Sequence, residues 1–216
     1  MFKYILFDLD GTLTDPKEGI TKSVQYALAS VGIDEPDLDK LEPFIGPPLH
    51  ESFMEFYGFD RDKAMELVDK YRERFNVTGI YENVIYPGIA DMLKTLKEAG
   101  CKIAIASSKP TEMVEIILDH FDIRKHFDFV VGSNLDGTRT KKEEVVEEVL
   151  RQMKPVKEKT AMVGDRKFDV EGARAFGLVS VGMSFGYAQE NELEEAGADY
   201  IVDTVEELQK LLLFNP

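Results

Sequence analysis

The 216-residue chain has one cysteine, three histidines and far fewer bases than acids, and each scarcity removes a class of function. A single thiol, Cys101, cannot form an internal disulfide or a cysteine metal cage, and its apolar surroundings point to an inert buried group in a reducing cytoplasm. His50, His120 and His126 lack metal-ligand spacing and are expected at helix ends or on the surface. Lys and Arg total 26 against 41 Asp and Glu, a net charge of -15 that repels a phosphate backbone, so a nucleic acid polymer is not an expected partner. Long hydrophobic runs are also missing. The longest stretch without charge, Ala175 to Gln189, is broken by three glycines and is shorter than a membrane span requires. Met1-Phe2-Lys3 leads straight into Tyr4-Ile5-Leu6-Phe7 with no signal-type segment, so the expectation is a cytoplasmic protein that neither is exported nor binds a membrane.

What is present is an ordinary globular balance, 44% apolar and 31% charged residues, with short apolar runs alternating with amphipathic segments of helix length. That alternation predicts a parallel sheet of βαβ units, with strands at Lys3–Phe7, Lys102–Ala106, Phe127–Val131, Thr160–Val163, Leu178–Gly182 and Tyr200–Val202. Helices are expected over Thr111–His120, with Pro110 as its first residue, and over Lys142–Met153, Val170–Phe176 and Thr204–Leu213. Between Asp15 and Tyr86 there is helical periodicity near Pro16–Ser30, Pro48–Tyr57 and Arg61–Phe75 and no convincing strand. About 70 residues is too long for a βα connection, so residues 15–86 are expected to form an inserted helical domain and residues 1–14 with 87–216 an α/β core.

Four short motifs carry the chemistry. The first strand runs into Asp8-Leu9-Asp10-Gly11-Thr12, two carboxylates brought together by a tight turn where a parallel sheet binds ligands. Their repulsion calls for a compensating hard divalent cation. A second acidic pair, Asp165 and Asp169 in Gly164-Asp165-Arg166-Lys167-Phe168-Asp169, follows another apolar run, and the two face the same way if the helix starts early. Ser107 and Ser108, in Ser107-Ser108-Lys109-Pro110, bring hydroxyls suited to phosphate oxygens to the same rim. Lys141-Lys142 offers a cation just ahead of a helix. Gly132–Arg139 has the glycine spacing of a nucleotide P-loop, but Thr138 stands where the phosphate-reaching lysine would be, and the reading is rejected.

In this order the motifs resemble the haloacid dehalogenase superfamily: a strand-terminal Asp-x-Asp-Gly-Thr, then a Ser or Thr, then a Lys, then Gly-Asp-x-x-x-Asp. The likeness runs from Phe2 to about Asp203. It implies a doubly wound, Rossmann-like parallel α/β core with a helical cap domain inserted after the first strand. It also implies that Asp8 is the nucleophile forming an aspartyl-phosphate and Asp10 the general acid/base. Mg²⁺ would be bound by Asp8, the Asp10 carbonyl and Asp165, with Asp169 as an outer partner. Ser107, with Ser108, would bind the phosphoryl group, and Lys142 or Lys141 would neutralise it; Lys142 lies closer to the family's pattern. Asp10 argues against the dehalogenases, which lack that acid. The resemblance then points to a phosphatase for a small phosphorylated metabolite, either a nucleoside monophosphate or phosphoglycolate, with the nucleotidase-like branch favoured. A phosphomutase of the β-phosphoglucomutase type and an inactive phosphate-ligand-binding protein are the alternatives. Specificity is expected from the cap loop Phe44–Leu49, where Gly46 permits close approach, with hinges near Asp15 and Tyr86–Gly88. Oligomeric state is left open.

Overall fold

The computed structural model describes residues 1–214. In chain order these form β1 (Tyr4–Phe7), β2 (Thr14–Asp15), α1 (Lys17–Ala29), α2 (Leu49–Tyr57), α3 (Arg61–Phe75), β3 (Val84–Ile85) and α4 (Ile89–Glu98). They continue with β4 (Lys102–Pro110), α5 (Thr111–His120), β5 (Phe129–Ser133), α6 (Lys142–Met153), β6 (Thr160–Gly164) and α7 (Lys167–Phe176). The chain closes with β7 (Val179–Met183), α8 (Glu192–Ala196), β8 (Tyr200–Val202) and α9 (Val205–Phe214). It divides into two compact units, residues 1–14 with 85–216 and residues 15–84.

The first unit is a six-stranded sheet in the order β5-β4-β1-β6-β7-β8, every pair parallel. Renumbered by rank this is the 3-2-1-4-5-6 order of doubly wound folds, whose direction reverses between the first strand and the fourth. Here that crevice lies between β1 and β6. Ile5, Leu6 and Phe7 of β1 are fully buried, as a strand covered on both faces demands. One face is filled by Leu6, Ala104, Ala106, Val131 and Met162 packed on Val145, Val146 and Val149 of α6 and Ala173 of α7. The register pairs Phe7 with Ile105 on one side and Val163 on the other, so β1, β4 and β6 reach the rim together.

The second unit is helical. α1 and α3 meet around a core including Val24, Leu28, Leu67, Tyr71 and Phe75, with the ring of Phe44 5.0 Å from that of Phe53. Gly19 passes so close to Gly79 that a Cβ on it would lie 2.0 Å from the Gly79 carbonyl oxygen. Arg74 grips Glu82 through two hydrogen bonds of 2.7 and 3.0 Å.

All six core strands occur where the pattern predicts them, within two residues at their starts. Four details differ. β2 and β3, two residues each, pair with one another where no strand is expected, because so short a ladder leaves no alternation in the sequence. α7 starts at Lys167 rather than Val170, because the Asp169 carboxylate accepts the Arg166 N–H at 3.1 Å and caps the first turn. Pro110 is not the first residue of α5 but precedes it, in extended conformation at ψ 137°. α4 and α8 are additional helices. No helix among the described residues is long and apolar enough to cross a membrane.

Candidate active site

The crevice between β1 and β6 opens on carboxylates. Asp8 follows β1 directly, its N–H donating to the Val163 carbonyl of β6 at 2.9 Å. Its Oδ1 accepts the Leu9 N–H at 2.7 Å, while Oδ2 lies 2.8 Å from Lys142 Nζ. The chain then folds back: Thr12, Leu13 and Thr14 all donate backbone hydrogen bonds to the Leu9 carbonyl, and Gly11 N–H donates to Thr14 at 2.8 Å. Gly11 has φ +81°, and a Cβ there would sit 2.2 Å from an oxygen of Asp165, so glycine is required both by the turn and by the neighbour.

Asp165, the first residue after β6, is 1% exposed. Its Oδ1 accepts from the Thr12 hydroxyl at 3.0 Å and its Oδ2 from the Tyr187 N–H at 2.8 Å. Those bonds favour the carboxylate, but burial first, and then the charges of Asp169 and Asp8, push its pKa up to about 8. Asp169, in the first turn of α7, lies 2.8 Å from Lys142 Nζ. Burial and Asp8 raise it to about 6, with Lys142 opposing. Oxygens of Asp8, Asp165 and Asp169 lie within 4.8 Å of one another.

Lys142 opens α6 and bridges two of these acids. Its ammonium also donates to the Ala106 carbonyl of β4 at 3.0 Å, and Gly172 of α7 leaves room for its stem. Burial works against its charge, but Asp169 and Asp8 outweigh it and hold the lysine protonated. Its neighbour Lys141 is exposed. One ammonium among three buried carboxylates leaves an anionic excess, and an all-oxygen donor set this small suits a hard divalent cation. Gly11, Gly164 and Gly186 cradle the cluster, since a Cβ on any of them would lie within 2.2 Å of an Asp165 or Asp169 atom.

Asp10 stands apart from that triad. It pairs with Lys109 of β4, and its other oxygen, Oδ1, is buried without a hydrogen-bond partner among the described residues. Ser107 is buried and its hydroxyl accepts the Lys109 N–H at 3.3 Å; Ser108 is half-buried. Gly46 belongs to the helical unit, at φ +105° in the loop before α2. His50 and His126 are half-buried and His120 is exposed at the end of α5.

Three contributors escape a reading by residue type. Tyr187 acts through its main-chain N–H, which no side chain announces. Glu192 is buried and accepts from Arg166 Nε at 2.9 Å, Lys167 N–H at 2.8 Å and Gln189 N–H at 3.0 Å, tying the start of α7 to the loop that carries Tyr187. Lys109 lies inside a recognised motif, but nothing in its spacing shows that it meets Asp10.

Comparison with known proteins agrees with this geometry. Residues 5–183 match the model of the haloacid dehalogenase-like hydrolases. The chain is 51% identical over 189 residues to a 5'-nucleotidase of Pseudomonas aeruginosa, covering 88% of this chain and 86% of that one. It is 35% identical over 210 residues to the tyrosine-protein kinase PtkA of Mycobacterium tuberculosis, covering 96% of this chain and 72% of that one. A crystal structure described as a predicted phosphatase from Clostridium acetobutylicum superposes with a TM-score of 0.95 at 45% identity, covering 99% of each chain. The six-stranded parallel core, the acidic crevice and these relatives together show that the chain belongs to the haloacid dehalogenase-like hydrolase family, among its phosphatases.

Proposed function

We propose that the protein hydrolyses nucleoside 5'-monophosphates through an aspartyl-phosphate on Asp8. The observation that carries the reading is the position of Asp8: it leaves the central strand at the switch point, held at Oδ1 by a backbone N–H and at Oδ2 by a buried lysine. A carboxylate fixed in this way can attack phosphorus. A new oxygen–phosphorus bond forms to Asp8 as the ester bond breaks, and Asp10 gives its proton to the departing alcohol oxygen. In the second step Asp10 takes a proton from water as the water oxygen bonds to phosphorus, and Asp8 is released with inorganic phosphate.

Asp8, Asp165 and the Asp10 carbonyl would hold Mg²⁺, with Asp169 steadying the site through Lys142. The ion would neutralise charge on the phosphate oxygens. Lys142 adds positive charge beside Asp8, and Ser107 is the hydroxyl offered to the phosphoryl group, with Ser108 next to it on the rim. The helical unit, residues 15–84, is assigned the choice of leaving group through the loop around Gly46. The 5'-nucleotide preference is supported by the 51% identity to a 5'-nucleotidase. Phosphoglycolate is the second candidate, because the catalytic groups touch only the phosphate. The buried Cys101 thiol, its pKa raised by burial, suits a cytoplasmic enzyme.

The test is release of inorganic phosphate in the presence of Mg²⁺ from a panel of nucleoside 5'-monophosphates, phosphoglycolate and sugar phosphates. Faster turnover of the nucleotides supports the substrate, whereas an isomerised sugar phosphate in place of free phosphate would identify a mutase, and tight ester binding without turnover a non-catalytic binder. Asp8→Asn should lose at least about a thousandfold in kcat, as expected when the nucleophile is removed. Undiminished activity in that variant removes Asp8 from the mechanism.

A further inference from the structure

We infer that Lys109 is the positioning residue for Asp10, holding one carboxylate oxygen so that the other faces the departing group. The inference rests on the reading of Asp10 as the proton donor. Three observations support it. The first is the pairing itself: Lys109 Nζ meets Asp10 Oδ2 with the two side chains only 8% and 12% exposed, so the contact is largely shielded from water. The second is what the pairing leaves over. Asp10 Oδ1 is buried and accepts nothing among the described residues, although a buried carboxylate oxygen normally finds a donor. An oxygen kept ready for a substrate atom has this signature, and an acid/base group needs one.

The third observation is that the backbone under Lys109 is built to hold it. The parallel register between β4 and β5 shifts between Ala106 and Pro110, so the Ser107–Lys109 segment leaves the regular ladder, and the Lys109 N–H donates to the Ser107 hydroxyl instead. Gly132 of β5 lies against the carbonyl of Lys109, where a Cβ would come within 2.2 Å of that oxygen. Gly132 is fixed in turn by the Thr111 hydroxyl, which accepts its N–H at 2.9 Å, and by Arg139, whose Nε donates to its carbonyl at 2.8 Å. Arg139 adopts φ +52° to do so, an unfavourable conformation for a residue with a side chain. The Gly132–Arg139 stretch thus supports the chain segment that delivers Lys109.

A positioning role predicts a selective defect. Proton donation matters most for a poor leaving group and little for one that departs as a stable anion. Lys109→Met should therefore lower kcat on phenyl phosphate by about 100-fold, within the range general acid catalysis supplies, and on 2,4-dinitrophenyl phosphate by less than about 5-fold. Asp10→Asn is run beside it, and the double variant should be no worse on phenyl phosphate than Asp10→Asn alone. Lys109→Arg, which keeps the charge, should recover part of the loss. Lys109→Gln provides a second neutral variant should the methionine compromise folding, which circular dichroism and melting report. If Asp10→Asn is selective while both neutral variants slow the two esters equally, or not at all, Lys109 does not position Asp10. If Asp10→Asn itself slows both esters equally, Asp10 is not the proton donor, and the inference falls with that reading.

Discussion

At the scale of single residues, the site is defined as much by missing side chains as by acids. Gly11, Gly164 and Gly186 each occupy a place where a Cβ would collide with Asp165 or Asp169. Gly11→Ala tests this directly. It must adopt φ near +81° and displace the Asp165 carboxylate, so it should cost about 1–2 kcal/mol from the backbone alone and more from the clash. The expected result is a lower melting temperature together with a Mg²⁺ half-saturation raised roughly 10-fold or more, the scale on which disturbed partners of metal ligands act. Unchanged Mg²⁺ dependence would show that Asp165 is not held through this contact. The acidic residues themselves were legible from the sequence, because Asp8 and Asp165 each terminate an apolar strand. The preference for Lys142 over Lys141 rested on resemblance alone, because adjacent residues differ by 100° around a helix and only packing says which points inward. The structure buries Lys142 against Asp8 and Asp169 and leaves Lys141 exposed.

At the scale of elements, periodicity located the core strands and the long helices, since a buried strand and an amphipathic helix each leave a repeat that local sequence displays. It did not yield α8, whose five residues span barely more than one turn, nor β2 and β3. α4 was readable in principle: Ile89, Met92, Leu93 and Leu96 are its buried residues, at helical spacing. The loop between β7 and α8 was read only as uncharged, yet it supplies the Tyr187 N–H to Asp165 and is anchored at its far end by Glu192. Glu192→Ala should leave the Arg166 guanidinium and the N–H groups of Lys167 and Gln189 without their acceptor. With the pair buried, about 3–5 kcal/mol of stability is expected to be lost, visible as a melting temperature lower by roughly 10 °C. A drop of no more than a degree or two would mean that water replaces the carboxylate at no cost.

At the scale of the whole molecule, the dominant electrostatic fact is a concentrated excess of negative charge inside a protein that already carries -15. Asp165 and Asp169 have folded-state pKa values pushed up to about 8 and about 6, above the ordinary carboxylate range they have when unfolded. These two groups therefore bind more protons in the folded protein than in the unfolded chain between about pH 4 and 8, and in a chelator their contribution to stability should fall as pH rises through that window. If the cluster is the proposed Mg²⁺ site, the ion would act in the opposite direction, because it would bind the deprotonated carboxylates and so stabilise most at the alkaline end. Melting curves at pH 5 to 8 in EDTA and in excess Mg²⁺ should diverge with rising pH, by about 5 °C or more at the top of the range; parallel curves would mean the cluster is not where the cation binds. The kinds of element, their order along the chain, and the acidic residues at two strand ends follow from the amino acids alone, because each of these depends on neighbours within a few positions. That β1 lies between β4 and β6, that Lys142 joins Asp8 to Asp169, and that Lys109 meets Asp10 across 99 residues of chain is visible in the folded chain and not before. Strand order and side-chain packing are set by long-range burial, which leaves no local periodicity to read.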